Sequence, residues 1–337
     1  MREIYAYKGL DEEVMKSSSG AAFIGFCKVF FNKCKNEKGY VYGATFDENL
    51  DVIHKGVSTL KECEAFQGSK YVKSNCKRVY LDIETKIKEG AAVLFSGTPC
   101  QVSSLKKYLD IRKVDRKKLF LVDIICHGTP KPIIWRDYKK WLEAKNGSLL
   151  RKYCFRFKRE GWKAYPALAC FENGKSLKNT SDTSVFSRLF LKRYSISKGC
   201  FSCKYSNMNR EGDITIGDFW GIENIRSSFP SKKGVTLVLV NTESGKHLIN
   251  EMDSESNEVV IEKINCSNFI NYQHNLQRPT EEPNGYDSFW SDYKTASFDD
   301  IVKKYLGYGL KYKIIFSIKK YIRKTPLINT YRKLKNR

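Results

Sequence analysis

The apolar residues of this chain fall into short runs of two kinds, and the two kinds alternate. "AAFIGFCKVFFNKCK" repeats at helical spacing and is preceded by Ser17, Ser18, Ser19 and Gly20, which suit a helix start with a serine N-cap. "GYVYGATFD" follows as a strand, then a short strand around Val52 and Ile53. "KRVYLDIETKIKEG" is a helix stopped by glycine, "AAVLF" a strand, "QVSSLKKYL" a helix and "KLFLVDII" another strand. Strands as apolar as these two suit a parallel sheet covered on both faces. After Lys131 the pattern changes. The helix "KPIIWRDYKKWLEAKNG" leads into "LLRKYCFRFK", "AYPALACFENG", "DITIGDF" and "VTLVLVNT", with helical stretches at 185–194 and 244–252. Residues 266–290 are polar and contain proline, and are expected to run extended over the surface. The expected fold is mixed α/β: a mainly parallel sheet flanked by helices, a strand-richer C-terminal half and a basic helical tail. Soft boundaries divide it into residues 1–147, 148–298 and 299–337.

Composition adds constraints. Of 337 residues, 41% are hydrophobic, enough for a buried core, yet no apolar run reaches the roughly 18 to 20 residues of a membrane span. The opening "MREIYAYKGLDEEVMK" is charged at once and lacks the apolar stretch of a signal peptide, so a cytoplasmic location is expected. The net charge of +23 raises the question of nucleic acid. However, residues 302–337 hold twelve Lys or Arg and no acid, about half the excess, and no zinc-finger, RNA-recognition or helix-turn-helix pattern appears. No nucleic-acid partner is expected. In the tail, Ile314, Ile315, Ile318, Tyr321 and Ile322 share one helical face, and Lys311, Lys313, Lys319, Lys320, Arg323 and Lys324 surround it up to a break at Pro326. Such a helix either lies in a bilayer interface, placing the protein on the inner face of the membrane, or packs its stripe back on the domain.

Eleven cysteines in a reducing compartment are not expected to form disulfides. Cys27 and Cys34 lie on an apolar helical pattern, Cys154 and Cys170 in strand-like runs, and Cys63, Cys76 and Cys266 have no partner at metal-ligand spacing. Four remain. Cys100 ends "VLFSGTPC" and Cys126 ends "LVDIIC", each just past a predicted parallel strand, where ligands of α/β sheets collect. Cys200 and Cys203 form a Cys-x-x-Cys. Four thiolates suit zinc or an iron–sulfur cluster, and ligands this scattered need a fold already built, which favours the cluster. The competing reading is two buried packing thiols and a coincidental pair.

"SSSG", "GSKYVKS", "LFSGTPCQ", "DIICHGTPKPIIW" and "CFSCKYSNMNREGDITIGDFWGI" occur in this order. Together they resemble the coenzyme F420 hydrogenase/dehydrogenase beta-subunit family, in its bacterial branch, from about Ile4 to Phe269. The resemblance implies an oxidoreductase carrying FAD and a 4Fe–4S cluster, with Cys100, Cys126, Cys200 and Cys203 as the cluster's ligands. It makes residues 1–147 the flavin-binding half and residues 148–298 the half that completes the site. Ser17, Ser18, Ser19 and Gly20 would cradle a phosphate at a helix start. Lys70, Tyr71 and Ser74 would contact phosphate and ring, while Ser96, Gly97, Thr98, Gln101 and Gly128 would let backbone and amide approach the flavin. His127 would transfer a proton, or else hold the Cys126 loop. Asp218 reads as a turn residue and Trp220 as core. The branch often occurs in surface-polysaccharide gene clusters, which implies polysaccharide biosynthesis and a lipid-linked glycan or the membrane surface as partner. Many relatives carry an N-terminal ferredoxin-like segment and this chain begins without one, so electrons would come from a redox partner protein or a reduced cofactor. The lysine-rich composition resembles a low-GC bacterium, where the deazaflavin is not expected. The rival function is a non-catalytic scaffold, zinc-bound or cofactor-free, in a membrane-associated glycan-assembly complex.

Overall fold

The computed structural model describes residues 3–163, 166–252 and 259–322. Its strands are β1 (Glu3–Lys8), β2 (Gly39–Phe46), β3 (Val52–Val57), β4 (Ala92–Gly97), β5 (Leu119–Ile124), β6 (Leu150–Cys154), β7 (Leu168–Phe171), β8 (Ser176–Lys178), β9 (Ile214–Asp218), β10 (Thr236–Val240) and β11 (Val260–Lys263). Eight of them form one sheet in the order β11-β1-β10-β9-β5-β4-β2-β3. The centre, β2-β4-β5-β9, is parallel, and the strands on either side join antiparallel. The expected mixed α/β fold is thus the fold adopted.

Side-chain alternation explains the layering. Leu94 of β4 and Val122 of β5 point into one core with Phe26, Phe30 and Leu248, while Val93, Phe95, Leu119 and Leu121 enter another with Ile83, Leu105 and Leu109. At the other end of the sheet, Val238 joins the first core and Leu237 and Leu239 a third, with Ala6 and Phe219. Helices Ala22–Lys33 and Glu243–Asn250 supply the first core, and Val79–Lys88 and Pro99–Ile111 the second. Both faces are covered, as the apolar β4 and β5 require.

The chain does not divide at 147 and 298. One unit comprises Met1–Pro132, Lys158–Ala164 and Ser197–Glu281, and contains the eight-stranded sheet. The second comprises Ile133–Phe157, Tyr165–Ile196 and Glu282–Arg337. Its three-stranded antiparallel sheet, β6-β7-β8, accompanies an aromatic core in which Trp135 lies 4.9 Å from Tyr153 and 5.6 Å from Phe186. The two units interleave along the chain, so boundaries that cut it into consecutive pieces miss them.

Three local expectations are corrected. The helix after the serines starts at Ala22 with Ala21 as its cap, in the left-handed region at φ 70°, and no side chain caps it; the serines are not N-caps. Residues 266–290 are not extended but form tight turns at Ser267–Tyr272 and His274–Leu276 and a helix at Tyr286–Asp292. Buried Tyr286 and Phe289 stand three apart within that polar sequence, enough to anchor one helical face. The tail is two helices, Phe298–Leu306 and Leu310–Ile322, separated at Gly307, whose φ of 61° closes the first. Arg323, Lys324 and Pro326 lie outside the described residues.

Candidate functional site

The carboxyl ends of β4 and β5 carry the chemistry. Beyond β4, Thr98 caps helix Pro99–Ile111 in a reciprocal box: its backbone N–H donates to Gln101 Oε1 (2.9 Å), and its side chain receives the helix's own N–H at Gln101. This fixes Cys100 in the first helical turn, exposed, with its sulfur 3.1 Å from Thr98 Oγ1. Beyond β5, Cys126 leads into Gly128, whose φ of 105° only glycine adopts easily. That turn aims the Gly128 N–H at the Cys126 sulfur. Burial pushes the Cys126 thiol up to about 12; the Gly128 N–H opposes the rise, and the thiols of Cys100, Cys200 and Cys203 add to it. All three predicted partners are therefore within electrostatic reach of Cys126.

Two sets of bonds bring the Cys-x-x-Cys segment there. Cys200 sits in the turn Lys198–Cys200, and just before it the Ser197 N–H donates to Thr129 O (3.1 Å), next to the Cys126 loop. After Cys203, Arg210 and Asp123 form an ion pair at 2.9 Å with both side chains at most 1% exposed. Asp123, three residues before Cys126, also accepts from the N–H groups of Glu211 (2.9 Å) and Gly212 (3.0 Å). The Arg210 guanidinium further donates to Ile124 O, Tyr205 O, Asn207 O and Thr215 Oγ1. This clamp ties the loop carrying Cys200 and Cys203 to the strand that delivers Cys126. A carboxylate inside the apolar run "LFLVDII" is the signal that marks it, since a buried charge needs a partner.

A second network adjoins Cys100. Buried His54 donates from Nε2 to Ser96 O (2.9 Å), which leaves Nδ1 to accept from the Ser74 hydroxyl (2.8 Å). Gln101 Nε2 donates to Ser74 Oγ (2.9 Å) and to the Cys76 sulfur (3.1 Å). Cys76 is close enough to Cys100 for that thiol to raise its pKa further, beyond the effect of burial. The sequence joined Ser74, Ser96, Thr98 and Gln101; it did not point to His54 or Cys76, because neither stands at a ligand spacing.

The segment at 68–74 links this network to the serine loop. The Ser69 N–H donates to Ser18 Oγ (2.7 Å), Gln67 Nε2 to Ser17 Oγ (3.0 Å), and the Lys73 N–H to Pro130 O (2.9 Å). Ser19 donates to Val235 O (2.6 Å), and the Gly20 N–H to Thr236 Oγ1 (2.8 Å). A Cβ on Gly20 would lie 2.1 Å from Tyr7 O, so packing alone excludes a side chain there. Lys70 donates to Ala65 O and Gln67 O. Buried Lys158 donates to the carbonyls of Val14 and Ser19, supporting the loop from beneath. The loop holding His127 is tied down by Thr280, which donates to His127 O (2.8 Å). Asp218 accepts from Trp162 Nε1 (3.0 Å), and Trp220 stacks on Trp162 at 5.2 Å.

Cys100, Cys200 and Cys203 thus lie near Cys126, whose sulfur also faces the Gly128 N–H. Among the described residues, no three His, Cys, Asp or Glu side chains close around a single metal ion.

A mixed α/β unit whose cysteines gather at the carboxyl ends of its central parallel strands is the class that fold and site define. The family model for the C-terminal part of the coenzyme F420 hydrogenase/dehydrogenase beta subunit matches residues 90–265, more than half of the chain, and the chain belongs to this family. Among solved structures, it is similar to a chain of the F420-reducing [NiFe] hydrogenase complex from Methanosarcina barkeri, with 15% identity and a TM-score of 0.50 over 89% of this chain and 90% of that one. At that identity the likeness speaks to the fold. No curated protein matches.

Proposed function

We propose that this protein is a flavin- and iron–sulfur-dependent oxidoreductase. The observation that carries the reading is the convergence of Cys100, Cys200 and Cys203 on Cys126, at the end of the parallel strands. Those four residues would hold a 4Fe–4S cluster, and the N–H of Gly128 would stabilise the charge on the Cys126 sulfur. FAD would lie along the rim formed by residues 17–20, 68–74 and 96–101. Flavin and cluster together would supply hydride and single-electron chemistry. In this loop Ser19 and Gly20 are already hydrogen-bonded inward, so phosphate contact falls to Ser17, Ser18 and the start of helix Ala22–Lys33. Gly97 and Thr98 bring backbone close to the ring, with Gln101 held between Ser74 and Cys76. His127, beside Cys126, would exchange the proton that accompanies hydride transfer. Family membership supports redox work, and electrons would arrive from a partner protein or a reduced cofactor.

The spectrum of protein purified without oxygen tests this reading. Flavin bands with a broad iron–sulfur shoulder are expected. The pair Ser17→Asp and Ser18→Asp, placing carboxylates beside a phosphate, should lower flavin occupancy severalfold while leaving the shoulder. A colourless protein containing stoichiometric zinc would instead support the scaffold function.

A further inference from the structure

The last helix, Leu310–Ile322, has two apolar faces, and only one is used. Tyr312 lies with its hydroxyl 2.7 Å from Ser184 Oγ, its ring under the Arg188 guanidinium at 4.3 Å and beside Phe316 at 6.0 Å. Eight residues on, Lys320 donates to Lys178 O (3.2 Å) and Asn179 O (2.7 Å). Positions 312, 316 and 320 thus form the packed face. Leu310, Ile314, Ile318 and Tyr321, spaced four, four and three apart, form a second stripe that is 77%, 50%, 53% and 69% exposed. Exposed Lys311 and Lys313 flank it. An aliphatic stripe in water costs free energy unless something covers it.

We propose that this stripe docks the protein on the anionic headgroup surface of a lipid bilayer. The helix is about 20 Å long, too short to span a bilayer and suited to lie along it. Among the described residues no helix is long and apolar enough to cross a membrane. Charge selects the occupant: residues 302–337 carry twelve Lys or Arg and no acid. A second copy would bring like charge against like charge, and nucleic acid has no use for four exposed aliphatic and aromatic side chains. An anionic bilayer meets both demands, taking the stripe below the headgroups and the lysines at their level. The helix is already fixed through Tyr312 and Lys320, so docking requires no unfolding.

Sedimentation of the full chain with vesicles of phosphatidylglycerol and phosphatidylcholine tests the proposal, with pure phosphatidylcholine vesicles as reference. Binding to the anionic vesicles that weakens as salt rises is expected. Ile314→Asp with Ile318→Asp should reduce binding at least tenfold at an unchanged melting temperature, because both side chains are exposed. Lys311→Glu with Lys313→Glu should also reduce it at least tenfold, leaving the apolar stripe intact. Undiminished binding by the aspartate pair would overturn the proposal, because adsorption would then come from net charge alone. So would absence of binding by the intact chain, or a dimer in solution that the aspartate pair dissociates.

Discussion

Burial shifts two groups of the site in opposite directions, raising a thiol and lowering an imidazole. The thiol of half-buried Cys126 is pushed up by desolvation and by the thiols of Cys100, Cys200 and Cys203, whereas His54 is buried neutral. Burial holds the His54 imidazole down at about 4, against an ordinary 6.5, and the nearby Lys70 ammonium presses it the same way; the bond to Ser96 O opposes both. In the unfolded chain the ring protonates near 6.5. The stabilisation from keeping it neutral is therefore complete above about pH 6.5 and is lost as pH falls through about 4. Its size is about 3 kcal/mol. Denaturant unfolding of wild type and His54→Gln at pH 7 and pH 4.5 checks this. The wild type should lose stability faster between the two, by about 2 kcal/mol, and parallel losses would show that His54 does not titrate as its burial requires.

At the scale of elements, the Arg210–Asp123 clamp decides whether the Cys-x-x-Cys loop stays beside β5. The guanidinium reaches five acceptors on two chain segments, which no lysine ammonium can do. Arg210→Lys should cost on the order of 2 kcal/mol, and Asp123→Leu about 3–5 kcal/mol, since the leucine leaves a buried cation and two backbone N–H groups unpaired. Urea midpoints measure both, and a change below about 0.5 kcal/mol in either would mean the clamp is not what fixes the loop. Much of this architecture was legible in the sequence. Helices Ala22–Lys33, Val79–Lys88, Pro99–Ile111 and Pro132–Asn146 follow from periodicity, the strands β4, β5 and β10 from their apolar runs, and Cys100 and Cys126 from their place after strands. β1 was not, although it lies between β10 and β11, because "EIYAYK" is only partly buried and carries no apolar run. Neither were His54 and Cys76, which meet Ser74, Ser96 and Gln101 only through pairing of β2 with β3 and β4. Long-range pairing leaves no periodic trace. The turns at 267–276 escaped for another reason, since polar composition reports exposure and not conformation.

Over the whole molecule, the large sheet unit contains every cysteine of the proposed cluster and every residue of the proposed flavin rim. The segment Lys158–Ala164, although flanked by second-unit sequence on both sides, belongs to it and brings Lys158 beneath the serine loop. The redox function requires the four cysteines to hold iron and sulfide together, and the scaffold alternative, zinc-bound or cofactor-free, does not. Iron and acid-labile sulfide per chain, measured after purification without oxygen, distinguish the two most directly. About four of each are expected in wild type and in Cys27→Ser and Cys170→Ser, with loss of most of both in Cys126→Ser and Cys200→Ala. Equal iron in wild type and Cys200→Ala, or zinc in place of iron throughout, would contradict the account.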